Sequence, residues 1–359
     1  YGLVGSEMCI RDSHKDYRAR ADDGFSQRYT LDGNNTMTLL SEHGNDQTRF
    51  DDAELKDTDA ESFYLKDTIS AGKFTHILGV RYEDTEKNDG TNANPGNSKQ
   101  DVSDSATIIA AATTLNLGAG ESLYASYNQG FSPVDAGSSA SIEPEESDVY
   151  EVGYRKSTAG GMFEFIAFFN DYTQLIETCL EAGGCTGSTG STTNKGAAEV
   201  KGIEFQYRVN DLFAAPQMKG SGASTSSTRY PLIISGMLQD SEYKGQNSSY
   251  VGNSIAYVPD FQLYTSLGMV TNNWDIYLGA KYHDDTYTDD LNTYRTGKAF
   301  IFDVSAGMDV PMNFGGIQKA RLFANIDNLF DKTIVASQHN YGSRPNKPLT
   351  FMAGVKFDF

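Results

Sequence analysis

The sequence predicts an all-β fold: part of a transmembrane antiparallel β-barrel. Three observations carry that expectation. Strand after strand alternates apolar and polar side chains, short turns exchange regularly with long polar loops, and the composition is wet yet rich in aromatic rings.

The last nine residues, F-M-A-G-V-K-F-D-F, state the pattern plainly. Phe351, Ala353, Val355, Phe357 and Phe359 fall on one face of an extended chain, and Met352, Gly354, Lys356 and Asp358 on the other. Successive side chains of a strand point to opposite sides, so such a segment offers one face to hydrocarbon and one to water. Upstream, residues 319–329 set Leu322, Ala324 and Ile326 against Arg321, Phe323, Asn325 and Asp327. Residues 300–310 put Phe300, Phe302, Val304, Ala306, Met308 and Val310 on one face. Residues 274–283 are the cleanest case: Trp274, Ile276, Leu278, Ala280 and Tyr282 oppose Asp275, Tyr277, Gly279, Lys281 and His283. Rings at both ends of that apolar face fit the two aromatic girdles of a membrane barrel. Further strands are expected at 259–270, 230–238, 199–209, 162–172, 148–156, 121–130, 104–117, 73–83 and 60–70, with a partial strand at 36–41.

The connections sort into two kinds. Short links occur at Ala71-Gly72, Leu117-Gly118-Ala119-Gly120 and Thr271-Asn272-Asn273. Long polar ones cover 84–103, 131–147, 174–198, 239–257, 284–298 and 331–347. Loops beyond about 12–15 residues are uncommon in compact soluble domains. Their alternation with tight turns is that of a barrel with turns at one rim and loops at the other. The Ser/Gly-rich stretch 214–229 sits on the short-turn side and breaks the rule.

Composition agrees. The chain has 359 residues, 38% hydrophobic, with 21 Tyr, 20 Phe and 35 Gly. Its mean hydropathy is −0.47. Low hydropathy with many rings does not suit disorder. No run approaches the ~18 apolar residues of a membrane helix, whereas a barrel strand needs only ~9–11 alternating residues. The net charge of −19 argues against nucleic acid as a partner. Acids gather between strands, as at Glu83-Asp84, Glu143-Pro144-Glu145-Glu146 and Asp284-Asp285, where they read as solvated loop tips.

Cys179 and Cys185 flank L-E-A-G-G inside one loop, and their spacing predicts a disulfide and an oxidising compartment. Residues 1–13, Y-G-L-V-G-S-E-M-C-I-R-D-S, follow no strand or signal-peptide pattern and read as a non-native segment. His43, His76, His283 and His339 show no metal-ligand spacing, so neither metal nor cofactor is expected. G-x-S-x-G, H-E-x-x-H and a phosphate loop are all missing, and no enzyme is expected.

Several motifs, in order, resemble one family. Asn325-Ile326-Asp327-Asn328-Leu329-Phe330-Asp331-Lys332 resembles the N-x-x-N-L-F-D-K signature of TonB-dependent outer-membrane receptors, and the terminal aromatic strand follows at the family's distance. Tyr124 to Pro133 is similar to its Y-x-S-Y-x-x-G-F-x-P, and Glu143-Pro144-Glu145-Glu146-Ser147 to the L-x-P-E-x-S that follows. Glu151, Gly153 and Arg155 resemble its E-x-G-x-K strand, Gly202-Ile203-Glu204 its G-x-E, and Gly79-Val80-Arg81-Tyr82-Glu83 its G-x-R-Y-E/D. Within the family, ferric dicitrate transporters are the nearest in character.

The resemblance implies a barrel of about 22 strands with an N-terminal plug, of which this chain supplies about 12–14 C-terminal strands without the plug. It divides the chain into the segment 1–13, a loop with a partial strand over 14–59, and barrel over 60–359. It implies uptake of a scarce ligand, usually a ferric siderophore, across the outer membrane of a Gram-negative bacterium, energised by the inner-membrane TonB complex. Outer-membrane lipid, lipopolysaccharide and the barrel assembly machinery are the other implied partners, with Phe359 as assembly signal. An anionic ligand would suit cations and rings at the long-loop end. Arg295, Tyr294, Tyr341, Arg344 and Lys347 are the loop candidates, and Arg81 an inward candidate near a strand top. Two other classes share part of the pattern: a passive, porin-like channel, and a soluble or adhesive all-β protein.

Overall fold

The computed structural model describes residues 2–19, 26–31, 37–43, 54–91, 101–135, 138–139, 141–178, 192–213, 228–245, 249–314, 316–339 and 342–358. Every regular element among them is a strand. In chain order these are β1 (Gly2–Ala19), β2 (Ser26–Leu31), β3 (Met37–His43), β4 (Glu54–Ala71), β5 (Phe74–Thr91), β6 (Val102–Gly118), β7 (Glu121–Ser132), β8 (Glu145–Thr158) and β9 (Gly161–Thr178). There follow β10 (Thr192–Val209), β11 (Leu232–Lys244), β12 (Phe261–Val270), β13 (Trp274–His283), β14 (Ala299–Phe314), β15 (Ile317–Asp327), β16 (Val335–His339), β17 (Gly342–Pro345) and β18 (Thr350–Asp358).

Fourteen strands form one sheet in the order β1-β4-β5-β6-β7-β8-β9-β10-β11-β12-β13-β14-β15-β18. Two hairpins, β2–β3 and β16–β17, stand outside it. The wall is an antiparallel meander whose edges are β1 and β18. It is part of a barrel.

The strands read from sequence are all present, and most run further than expected at the long-loop end. β5 continues to Thr91, and β9 and β10 reach Thr178 and Thr192. Apolar alternation stops where hydrocarbon would stop, but the ladder is made of backbone groups and continues through polar residues. The same reasoning explains the N-terminal region. Residues 1–13 were read as patternless, yet they supply most of β1, which pairs with β4 through Met8↔Leu65 and Ile10↔Phe63. The stretch 14–59, expected as a loop with a partial strand, contains the end of β1, the β2–β3 hairpin and the start of β4.

Register fixes the two faces. Ile276 lies opposite Met269 and Ala306, Ala306 opposite Ala324, and Ala324 opposite Ala353. One residue along, Tyr277 lies opposite Gly268 and Ser305, and Ser305 opposite Asn325. Apolar rows thus continue from strand to strand on the outer face, and polar rows on the inner. Leu278, midway along β13, is 46% exposed on the outer face because no protein covers it. At the long-loop end the outer face carries a chain of rings: Phe261–Tyr282 at 5.6 Å, Tyr282–Phe300 at 6.2 Å, Phe300–Phe302 at 4.6 Å and Phe302–Phe330 at 5.3 Å. This is the girdle that the Trp274–His283 pattern announced on one side.

Inner-face glycines make room for rings. Tyr124 lies across Gly153, Tyr277 across Gly268 and Phe323 across Gly354, each pair in direct register. A Cβ on any of these glycines would enter the ring. The ring shields the exposed glycine backbone and pins the register.

The insertion at the short-turn end has a closed base. Leu212 N donates to Tyr230 O at 2.8 Å, and Asp211 Oδ1 accepts from Tyr230 N at 3.0 Å. The Phe213 ring meets Tyr230 edge-on at 5.1 Å. Residues 214–227 between them lie outside the described residues.

A charge at mid-wall on the outer face should cost about 2–4 kcal/mol. Leu278→Arg is therefore expected to destabilise the full-length protein by that amount in reversible urea unfolding from lipid vesicles. A change under about 0.5 kcal/mol would mean that this face does not meet hydrocarbon.

Candidate functional site

The inner wall is cross-linked by charge. Arg321 bridges three strands, contacting Asp275 at 2.5 Å and Asp309 at 3.0 Å, while Lys319 joins Asp309 at 2.8 Å. Lys281 pairs with Asp303 at 2.8 Å. Arg155 pairs with Glu164, and the Ser126 hydroxyl donates to Glu151 at 3.1 Å. Carboxylates alternate with cations across neighbouring strands, so the wet face holds its own register.

Between β9 and β13 this wall forms a concavity of about 580 Å³, lined by Glu164, Glu204, Gln206, Gln262, Tyr264 and Lys281 among others. A second hollow of about 420 Å³ adjoins it toward the long-loop end, sharing Ile166, Glu204, Met237 and Gln262. Glu204 has no hydrogen-bond or ion-pair partner among the described residues. Asn170 lines the second hollow, and its Oδ1 is buried without a donor. The two hollows mix polar lining with apolar residues such as Ile166 and Met237, and Glu204 and Asn170 leave unspent acceptors there.

At the long-loop end, residues 284–298 form a compact turn rather than a loose tip. Tyr287 and Arg295 make a β-bridge, and Asp289 accepts from the backbone N of Thr293 and of Tyr294. Arg295 pairs with Asp285 at 2.6 Å and stacks 4.0 Å from the centre of the Tyr287 ring. Tyr294 is 60% exposed beside it. The Lys298 ammonium donates to Asp284 at 2.7 Å and holds that carboxyl below the ordinary carboxylate range. The same bond holds Lys298 above the ordinary lysine range. Tyr257 N donates to Tyr287 O at 2.8 Å, so this turn leans on the neighbouring loop. A guanidinium over a ring, presented at a rim, is suited to anionic or π-rich ligands.

The last loop is gathered at a neck. Asn328, at φ +54° and 4% exposed, donates through Nδ2 to Lys332 O and Lys347 O, both at 3.0 Å. Its Oδ1 accepts from Lys332 N at 2.8 Å, and its own N donates to Asp303 Oδ1 at 2.9 Å. Asp331 Oδ1 accepts from Leu349 N at 2.9 Å. The Asn-Leu-Phe-Asp segment thus closes the loop at both ends, and Phe330, 70% exposed, joins the outer girdle.

The residues expected from sequence fall in different places. Arg295 and Tyr294 stand together in the 284–298 turn. Lys347 sits at the neck, paired with Asp327 at 2.6 Å. Arg344 is exposed on β17 of the neighbouring hairpin. Arg81 is on the inner face but not at a strand top: β5 runs ten residues beyond it, and its guanidinium pairs with Glu83 at 2.8 Å. Tyr341, Cys179, Cys185 and Phe359 lie outside the described residues. Among the described residues no group of three or more His, Cys, Asp or Glu is placed to hold a metal ion. Glu204 and Gln262 were missed as candidates, although strand parity put both on the inward face.

The sequence matches the family described as TonB dependent receptor-like, beta-barrel, over residues 10–329. Among solved structures, the chain is similar to the unliganded ferric citrate transporter FecA, at 18% identity and a TM-score of 0.70, covering 98% of this chain and 54% of that one. It is similar to the ferric yersiniabactin uptake receptor FyuA from Yersinia pestis, at 18% identity and 0.67, covering 100% and 52%. The copper transporter OprC matches at 14% identity and 0.66, covering 99% and 53%. The chain spans about half the length of these proteins.

Removing the Asn328 side chain takes one of two donors from each of the Lys332 and Lys347 carbonyls, which keep Asn346 Nδ2, and leaves the Lys332 amide without its acceptor, at about 1–3 kcal/mol. Asn328→Ala should raise amide exchange across 328–349 by roughly tenfold or more, with the β15–β18 ladder unchanged. Unchanged exchange in that loop would show that the neck does not restrain it. The Lys298–Asp284 pair gives a second expectation. Because Asp284 is depressed when folded, its contribution is present above the ordinary carboxylate pKa and lost as pH falls through the lower folded value. Protection in the 284–298 turn, taken relative to the intrinsic exchange rate at each pH, should therefore stay constant from about pH 7 to 5 and fall only below about pH 4.

Proposed function

Because the chain belongs to the TonB-dependent receptor-like β-barrel family, we propose that it is the C-terminal wall of an outer-membrane receptor that takes up a ferric siderophore or a similar scarce chelate. The family is one of transporters, not enzymes. Its barrels lie in the outer membrane of Gram-negative bacteria, and that is the location inferred for this one. The observation that carries the reading is the pairing of an ion-paired, part-unsatisfied inner wall with a cation-and-ring rim, on a sheet whose outer face is apolar along its length.

The parts then take roles. The 284–298 turn is extracellular and meets the ligand first, with Arg295 and Tyr294 as its contacts. Lys347 and Arg344 lie at the adjoining loop, and Tyr341 belongs to the same group. Arg81 faces the passage from mid-strand. Uptake draws energy from the inner-membrane TonB complex through a part of the protein outside this sequence. Cys179 and Cys185 form a disulfide in the exterior compartment. Phe359 serves recognition by the barrel assembly machinery, and the ring girdle meets outer-membrane lipid and lipopolysaccharide.

The test is uptake of radiolabelled iron by cells carrying or lacking the complete gene, offered as citrate, catecholate and hydroxamate complexes. Gene-dependent uptake of one complex that stops when an uncoupler collapses the proton gradient is the expected result. Gene-dependent uptake that ignores the uncoupler would mean a passive channel, and a product that stays in the soluble fraction would mean neither. A charged hydrogen bond is worth about 1.5–3 kcal/mol, so Arg295→Ala should weaken binding of the accepted complex roughly 10–100-fold. An unchanged Kd would remove Arg295 from the contact set.

A further inference from the structure

The long-loop end contains a half-buried cation that the uptake reading does not use. Lys195, near the start of β10, is only 13% exposed at its side chain. Its ammonium lies 2.8 Å from Asp290 and 3.6 Å from Glu177, and sits over the rings of Tyr243 at 4.8 Å and Tyr250 at 5.7 Å. The two phenols complete the enclosure. Tyr243 donates to Asp290 Oδ1 at 2.5 Å, and Tyr250 donates to Glu177 Oε1 at 3.3 Å. Ala198, Tyr243 and Tyr250 form a small buried cluster here, with Tyr172, Leu175 and Ile255 packed against it.

The five groups come from five places along the chain. Glu177 ends β9, Lys195 opens β10, Tyr243 ends β11, Tyr250 lies in the loop between β11 and β12, and Asp290 lies in the 284–298 turn. The last two segments touch again nearby. Asn253 Nδ2 donates to Asp290 O at 2.8 Å, and the Asn292 side chain closes on the backbone N and O of Ser254, each at 2.8 Å. Without the ammonium, Glu177 and Asp290 would face each other in a part-desolvated space with no counter-charge, and the loops would have to open to wet them. A buried pair that loses one partner is strongly disfavoured for this reason.

We propose that Lys195 is a positioning residue: its caged ammonium clamps the 249–257 loop and the 284–298 turn into one body and so presets Arg295, Tyr287 and Tyr294 at the rim. The proposal rests on the reading above for the statement that this rim meets a ligand. Recognition at this side of the mouth is then preorganised, and any closure over a ligand belongs to other loops. Asp290 and Arg295 share one short turn braced by Asp289, so a displacement at Asp290 reaches the Arg295–Tyr287 stack directly.

The experiment uses the complete receptor in detergent, as wild type, Lys195→Met and Lys195→Arg. Hydrogen exchange is followed by mass spectrometry, and Kd for ferric citrate, a ferric catecholate and a ferric hydroxamate is read from intrinsic fluorescence. Lys195→Met should lower protection in 249–257 and 284–298 together, by about tenfold or more, a fraction of what a fully buried pair loses with one partner. It should weaken binding of the accepted complex about tenfold or more, by the loss of preorganisation. Heat-modifiable gel mobility should stay that of wild type, and Lys195→Arg should recover most of both effects. Unchanged protection, or loss in one segment alone, overturns the clamp. Loss in both with an unchanged Kd overturns its positioning role. A wild type that binds none of the three complexes contradicts the uptake reading, while the exchange result still decides whether Lys195 joins the two segments.

Discussion

One constraint organises this chain: in hydrocarbon every backbone amide and carbonyl must find its partner within the protein. A strand cannot satisfy its own groups, so it needs a neighbour on each side. The meander supplies them in sequence order, β4 through β15, with β18 returning beside β15 after the β16–β17 hairpin. Everything else is permitted by that ladder. Side chains are free to alternate between an apolar and a polar face because the backbone ladder, and not a packed core, joins the strands. The wall can therefore be assembled from a sequence of low mean hydropathy, without the thick apolar core of a soluble domain.

Freed from making a core, the inner face spends its residues on charge. Arg321, Asp275, Asp309 and Lys319 lock three strands with a lattice of short ion pairs. Tyr124, Tyr277 and Phe323 lie flat over glycines and keep that face smooth. Such a wall is rigid and hydrated at once, which suits a passage better than a storage cavity. The rim is built on different lines. There the apolar alternation has ended, small clusters of buried residues appear, and polar groups are satisfied by dense local networks around Asn328 and Lys195.

How much of this was legible depended on period. The alternation in 274–283 and 351–358 named both faces correctly, since side chains of a strand alternate with a period of two. The extension of β5, β9 and β10 was not legible, because polar residues such as Thr192 or Asn88 pair as well as apolar ones once the ladder has begun. β1 was invisible for the same reason. Asn328 and Asp331 were readable as turn-formers from residue type, and both hold positive φ. Lys195 carried no signal at all. A lysine in a polar stretch reads as solvated, and only the arrival of Glu177, Tyr243, Tyr250 and Asp290 from distant segments makes it a half-buried, caged ion. Sequence shows what a residue prefers; it does not show who will come to meet it.

The clasp formed by Asp211, Leu212, Phe213 and Tyr230 has a practical corollary. By stitching the base of the insertion shut, it hands β10 to β11 as though only a tight hairpin lay there. The sheet then has little stake in how many residues separate the two sides of the stitch, since doubling the length of a flexible insertion changes its closure entropy by only about 0.6 kcal/mol. This is a natural docking port for an epitope or a fluorescent reporter. Cargo grafted there would travel with the wall without straining a single rung.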